Sequence, residues 1–169
     1  MLASIPRLAR RFSAGARPSA PAPAPALAIV GALRQEAGAA VSVAVGDRAS
    51  LSRTFTAADL EAFAGVTGDR NPIHLDAAYA STTPFARRLV HGMLCANLFS
   101  AVFAARAPGS VYVSQTLRFA APVHLGDTVT AHIEVKQLKA RARLCRCRTW
   151  VVNETTGAEA VVGEASVLI

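Results

Sequence analysis

The chain has 169 residues, enough for one domain with a full core and too few for two. Hydrophobic residues make up 52% and charged residues 17%, which argues against a disordered chain. No run reaches the ~20 uninterrupted apolar residues of a membrane-spanning helix. The net charge of +7 is unevenly placed: Arg7, Arg10, Arg11, Arg17 and Arg34 all precede the first acidic residue, Glu36, and taking those five away leaves +2. That remainder does not imply a nucleic-acid partner, which would need basic residues interleaved with exposed aromatic platforms in a chain with only 6% aromatics.

Leu2, Ile5, Leu8 and Phe12 recur at helical spacing among arginines and serines with no acid, the pattern of a mitochondrial presequence. Arg10-Arg11-Phe12-Ser13 has the form of a presequence cleavage site, and the continuous apolar stretch of a secretory signal is missing. The Pro/Ala alternation from Ser19 to Ala26 reads as an extended linker. Residues 1–34 are therefore expected to be presequence and linker, residues 35–169 one folded domain, and the mitochondrial matrix its location. An untargeted Ala/Arg/Pro-rich tail is the competing reading. Three cysteines do not make a disulfide framework. Cys145 and Cys147 fall on one face of a strand, and Cys-x-Cys without further ligands is not a metal site.

Leu51 to Phe55 reads as a strand, followed by Thr56 as an N-cap and a helix from Ala57 with Asp59 near its positive end. Phe55, Leu60, Phe63 and Ala64 form its apolar side, and Thr67-Gly68 ends it. A short helical piece spans Asp76 to Ser81 and breaks before Pro84. Leu89 to Ala105 is apolar nearly all round, which predicts one enclosed helix of about 25 Å. Cys95 packs within it. Alternating runs then predict strands over Val111–Phe119, Val129–Lys136, 142–152 and 160–168, with turns at Gly126-Asp127 and Thr155-Thr156-Gly157. One buried helix followed by antiparallel strands is an α+β pattern.

The chemistry is concentrated in residues 63–80. Gly68 permits a sharp helix stop and Pro72 forces Asn71 out of helix geometry, so a stiff turn delivers Asp69 and His74 five positions apart. A carboxylate and an imidazole so held can work as an acid/base pair. Residue types alone also allow a simple Asp/Asn turn and a structural histidine. The full string, with Phe63, Val66-Thr67-Gly68-Asp69, Asn71-Pro72-Ile73-His74 and Ala80, resembles the signature of the (R)-specific enoyl hydratases, or MaoC-like dehydratases. Phe85 to Leu94 resembles the stretch that opens the long central helix of the same family.

That resemblance implies a hot-dog fold, an antiparallel sheet wrapped around a long central helix, and a homodimer joined sheet edge to sheet edge. It implies Asp69 and His74 as the catalytic dyad of a reversible hydration of trans-2-enoyl thioesters to (R)-3-hydroxyacyl thioesters. Gly92 would supply a backbone N–H to the thioester oxygen; close helix packing is the other reading of that glycine. Asn71 would orient the dyad or simply make an Asx turn, and His91 would line the thioester channel or pack and cap. Tunnel length is expected to depend on Met93, Leu94 and Leu98. His124 and His132 receive no role, and the chemistry requires no metal or redox cofactor.

The nearest branch by resemblance is the short mitochondrial type 2 dehydratases, which implies a 3-hydroxyacyl-acyl carrier protein substrate in mitochondrial fatty acid synthesis. The enzyme rival is an (R)-specific enoyl-CoA hydratase of β-oxidation or polyester precursor supply. Arg87, Arg88 and the run Lys136, Lys139, Arg141, Arg143, Arg146 and Arg148, across a hairpin, would attract either anionic carrier, CoA or acyl carrier protein, or simply form a solvated basic face, the better reading for any one of them. A non-catalytic acyl-binding hot-dog subunit and an RNA-binding protein are the rivals from other classes.

Overall fold

The computed structural model describes residues 28–30, 43–139, 141 and 143–169. The presequence, its cleavage site and the Pro/Ala linker lie outside the described residues, and Ala28–Val30 form the first strand, β1. Further strands are β2 (Arg48–Thr54), β3 (Val111–Gln115), β4 (Arg118–Phe119), β5 (Thr128–Lys139), β6 (Leu144–Asn153) and β7 (Ala158–Leu168). They make one antiparallel sheet in the order β1-β2-β5-β6-β7-β3, with β4 also paired to β7. The helices are α1 (Ala57–Thr67), α2 (Pro72–Leu75), α3 (Ala77–Ser81), α4 (Gly92–Ala96) and α5 (Leu98–Arg106).

Strand alternation decides which face of the sheet is core. Along β6, Cys145, Cys147, Thr149, Val151 and Asn153 turn inward while Arg146 and Arg148 point out. The two cysteines thus fill the inner face, with their Sγ atoms 3.4 Å apart. Phe99, Val102 and Phe103 of α5 pack with Leu51, Val129, Ile133, Val151 and Val167 from the strands. Each such side chain, fully buried, contributes about 2 kcal/mol.

Capping sets where α1 begins and ends. Thr56 Oγ1 accepts from the Asp59 N–H at 3.3 Å, and the Asp59 carboxylate accepts from the Thr56 N–H at 2.7 Å, so both ends of the box are closed. At the other end Gly68 adopts φ 78°, left-handed, and gives its N–H to Ala64 at 2.9 Å. Phe55, Leu60 and Ala64 are buried as the pattern requires, and Phe63 is half-buried.

Three elements differ from the sequence pattern. The helix expected from Leu89 starts only at Gly92, because Leu89 forms a β-bridge with His124 and the Val90 N–H bonds the Val123 carbonyl at 2.8 Å. It is also divided at Asn97 into α4 and α5, and its enclosure is one-sided: Met93 is 51% exposed, and Asn97 and Ser100 face outward with it. The strand expected over Val111–Phe119 breaks at Thr116, whose carbonyl lies on Gly163; a Cβ there would stand 1.8 Å from that oxygen. Val111 and Val113 do not face the core but sit 58% exposed on the sheet edge. Lastly, helix begins before Asp76, which caps α3 through the Tyr79 N–H, while α2 precedes it.

Candidate active site

Two short local bonds shape the turn between α1 and α2. Asp69 Oδ1 accepts from the Asn71 N–H at 3.3 Å, and Asn71 Oδ1 accepts from the Ile73 N–H at 3.2 Å. Asn71 therefore acts as the N-cap of α2, with Pro72 as the first helical residue, where a missing N–H costs nothing. The Asp69 side chain is exposed.

α2 carries His74, and a distant segment fixes the ring. Leu89 gives its N–H to the Ile73 carbonyl at 3.1 Å, and His74 Nδ1 lies 2.9 Å from the Leu89 carbonyl. A carbonyl only accepts, so Nδ1 carries the hydrogen and Nε2 the lone pair. His91 sits directly beneath: the two rings stack with centroids 3.9 Å apart and planes 27° apart. Phe63 lies against His91 from α1 at 4.9 Å. His91 is 1% exposed, its Nε2 lies 3.2 Å from the Asp69 carbonyl, and its buried Nδ1 has no partner among the described residues. Burial pushes the His91 pKa below the ordinary histidine value, with the backbone bond to Asp69 pulling the other way.

Ligand atoms of Asp69, His74 and His91 all lie within 4.8 Å of one another. They do not make a metal cradle. The two rings are stacked, so their in-plane lone pairs run side by side instead of converging on one point.

Above the pair opens a largely apolar cavity of about 450 Å³, whose lining includes Asp69, His74, Phe85, Gly92, Met93 and Phe119. Gly92 is the first residue of α4, so its N–H has no acceptor within the helix. The Phe119 ring lies on it: a Cβ at residue 92 would stand 2.8 Å from two ring carbons.

Residues 41–166 match the family profile described as MaoC like domain. The chain belongs to the MaoC-like family. It is 46% identical over 130 residues to an (R)-specific enoyl-CoA hydratase of Aeromonas caviae, covering 76% of this chain and 96% of that one. It is 41% identical over 95 residues to a mitochondrial 3-hydroxyacyl-[acyl-carrier-protein] dehydratase of Arabidopsis thaliana, covering 56% of this chain and 57% of that one. The solved (R)-hydratase of A. caviae involved in PHA biosynthesis superposes with a TM-score of 0.73 at 45% identity, over 77% of this chain and 99% of that one. The architecture is thus the hot-dog fold, an α+β sheet around a central helix.

In this MaoC-like domain Asp69, His74, His91 and Gly92 line one cavity. Asn71 does not line it; its side chain is spent on the Asx cap of α2. Met93 lines the cavity, whereas Leu94 and Leu98 do not, and Leu98 is buried in the core. Phe85, Phe119 and Val161 are wall residues that sequence reasoning missed. Phe119 carried no usable signal, because its place depends on the strand switch at Thr116.

The basic run spans the β5–β6 hairpin, which closes where Lys139 pairs with Leu144, and none of its residues lines the cavity. Lys136 pairs with Glu134 at 2.9 Å and Arg148 with Glu159 at 2.9 Å, so part of the run is neutralised by strand neighbours. Arg88 remains near the site, reaching the Leu75 carbonyl at 3.4 Å. His124 and His132, given no role, make a bond to the Phe85 carbonyl and a stack on Trp150 respectively.

Proposed function

We propose that this protein is an (R)-specific hydratase that interconverts trans-2-enoyl-CoA and (R)-3-hydroxyacyl-CoA. Hydration of enoyl thioesters and dehydration of 3-hydroxyacyl thioesters is the chemistry named for its relatives, which makes it a hydro-lyase. The observation that carries the reading is the meeting of the Asp69 carboxylate and the His74 ring within 4.8 Å beside an apolar cavity. In the dehydration direction His74 Nε2 removes the Cα proton, and Asp69 stands by the hydroxyl leaving Cβ. The proton taken by His74 is delivered to that hydroxyl as the Cβ–O bond breaks and the Cα–H electron pair becomes the double bond. Water leaves, and the pair ends a turnover with the protons it began with. Such acid/base work supplies about 10²- to 10⁴-fold. The Gly92 N–H receives the negative charge that develops on the thioester oxygen, a donor that can be worth about 3 kcal/mol.

The carrier separates two readings. CoA is favoured by the A. caviae relative and by a 42% identical (R)-specific enoyl-CoA hydratase of Rhodospirillum rubrum, of which 86% is covered. Acyl carrier protein, in the mitochondrial matrix, is supported by the Arabidopsis relative, by a 41% identical mitochondrial relative of Solanum lycopersicum, and by the acid-free, Arg-bearing first 35 residues. The higher coverage lies with CoA, which reverses the preference drawn from the motif alone.

A homodimer is part of the same proposal. Strand β3 ends the sheet with Val111 and Val113 exposed, and a second copy adding its edge there would cover them. The test is hydration of crotonyl-CoA and crotonyl-acyl carrier protein by the full chain, with chiral analysis of the product. We expect (R)-product, faster on CoA, and loss in folded Asp69→Asn and His74→Ala variants. Turnover unchanged in both variants would reject the dyad. No turnover on either carrier would favour an acyl-binding subunit, and faster turnover on acyl carrier protein would favour the mitochondrial reading.

A further inference from the structure

We infer that His91 is a positioning residue: a neutral imidazole whose Nε2–H holds the main chain of Asp69 in place beside His74 and Gly92. This rests on the acid/base reading of Asp69 and His74 given above. Of the two expectations for His91 it takes the packing one: the ring edges the cavity, yet at 1% exposed it offers a ligand almost no surface.

Two bonds and one absence fix its state. The Asp69 carbonyl can only accept, so the hydrogen of the 3.2 Å contact belongs to His91 Nε2. The neutral ring then keeps its lone pair on Nδ1, and Nδ1 is the buried nitrogen without a partner. Protonating it would create a buried N–H with nothing to bond and a charge beneath the His74 ring 3.9 Å away. The charged groups nearest the ring are His74 on α2 and Asp69 on the turn; from α1 it meets only the apolar Phe63 among its ring contacts. A neutral ring is also what His74 needs beneath it when it takes up a proton.

The position explains why this residue carries the task. The bonds inside the Asp69 turn orient the carboxylate relative to the turn alone. The His91 bond ties that turn to the start of α4, and the next residue along the chain is Gly92. One side chain therefore relates the carboxylate, the imidazole and the candidate thioester-oxygen donor to one another. A misplacement of about 1 Å in such a set can cost on the order of 10²-fold in rate.

A ring that merely fills space would make a different prediction, and two variants separate them. His91→Phe keeps the stack and removes the N–H; His91→Gln keeps a donor near the Nε2 position and removes the ring. We expect His91→Phe to lose about 30-fold in kcat with KM changed less than about threefold, and His91→Gln to recover to within about fivefold of the parent. Parent-like kcat in folded His91→Phe overturns the proposal, as does His91→Gln being impaired as much as His91→Phe. ¹⁵N spectra of labelled histidine give a readout free of activity: Nδ1 of His91 stays unprotonated from about pH 5.5 to 8, and titration there overturns the proposal. Asp69→Asn is assayed alongside. If it keeps full turnover the acid/base reading falls, while the ¹⁵N spectra still decide the state of His91; if it is inactive and His91→Phe is not impaired, only the positioning role falls.

Discussion

His74 gives its Nδ1–H to the carbonyl of Leu89, fifteen residues away, at 2.9 Å, and so presents Nε2 as its one basic atom. The tautomer of the proposed base is thus set by a backbone group outside the motif that contains it. His74→Asn can keep a donor near the Nδ1 position while removing the base. We expect a fall in kcat of about 10²- to 10⁴-fold with little change in melting temperature, measured by crotonyl-CoA hydration and calorimetry. A variant with near-parent turnover would remove His74 from the chemistry.

Gly92 and Phe119 are in direct contact, so a methyl group at residue 92 must displace the ring. Phe119 is 53% exposed and free to swing, which makes the cost functional rather than structural. Gly92→Ala should leave stability within about 1 kcal/mol and lower kcat/KM about tenfold. Adding Phe119→Ala should restore part of the loss, and steady-state kinetics of the single and double variants test this.

Gly163 meets backbone instead of a side chain. A Cβ there would stand 1.8 Å from the Thr116 carbonyl, which is itself held by Gln115 Nε2 at 2.8 Å. No rotamer change relieves that contact. Gly163→Ala is expected to destabilise the fold by about 3 kcal/mol, read from denaturant midpoints at unchanged slope.

Acid should weaken the fold through two histidines. Burial lowers the pKa of both His91 and His132 from the ordinary 6.5. Above about pH 6.5 neither folded nor unfolded chain binds these protons, and stability is intact. Below it the unfolded chain protonates first, so stability falls progressively until the lower folded values are passed. The melting temperature should therefore drop between about pH 7.5 and 5.5, with a shallower slope in His91→Phe, whose ring cannot titrate.

Features governed by neighbours in sequence were legible there. The Thr56 cap with Asp59 beside it, the Gly68 stop, the shared face of Cys145 and Cys147 and the Asp69–His74 turn each depend on spacing within a few residues. What failed depended on contacts between distant segments. Leu89 and Val90 have helical composition, yet bonds to 123–124 hold them extended. The alternation from Val111 to Phe119 is continuous, yet the chain changes course where it crosses Gly163. The packing of His91 on Phe63 and His74 comes from folding, not from periodicity.

The Leu89 anchor has a consequence for how such a protein can change. Leu89 is bridged to His124, and the His124 N–H is held by Asp127, whose carboxylate also takes an N–H from Asn153 at the end of β6. The proposed base is thereby tied into the main body of the sheet, while the walls that would meet an acyl chain come from side chains such as Phe85, Met93 and Phe119. His124 also holds the Phe85 carbonyl, so that wall shares the anchor of the proposed base, whereas Met93 and Phe119 take no part in it. A lineage could recut the cavity for longer or shorter chains at those two residues without retuning the proposed base.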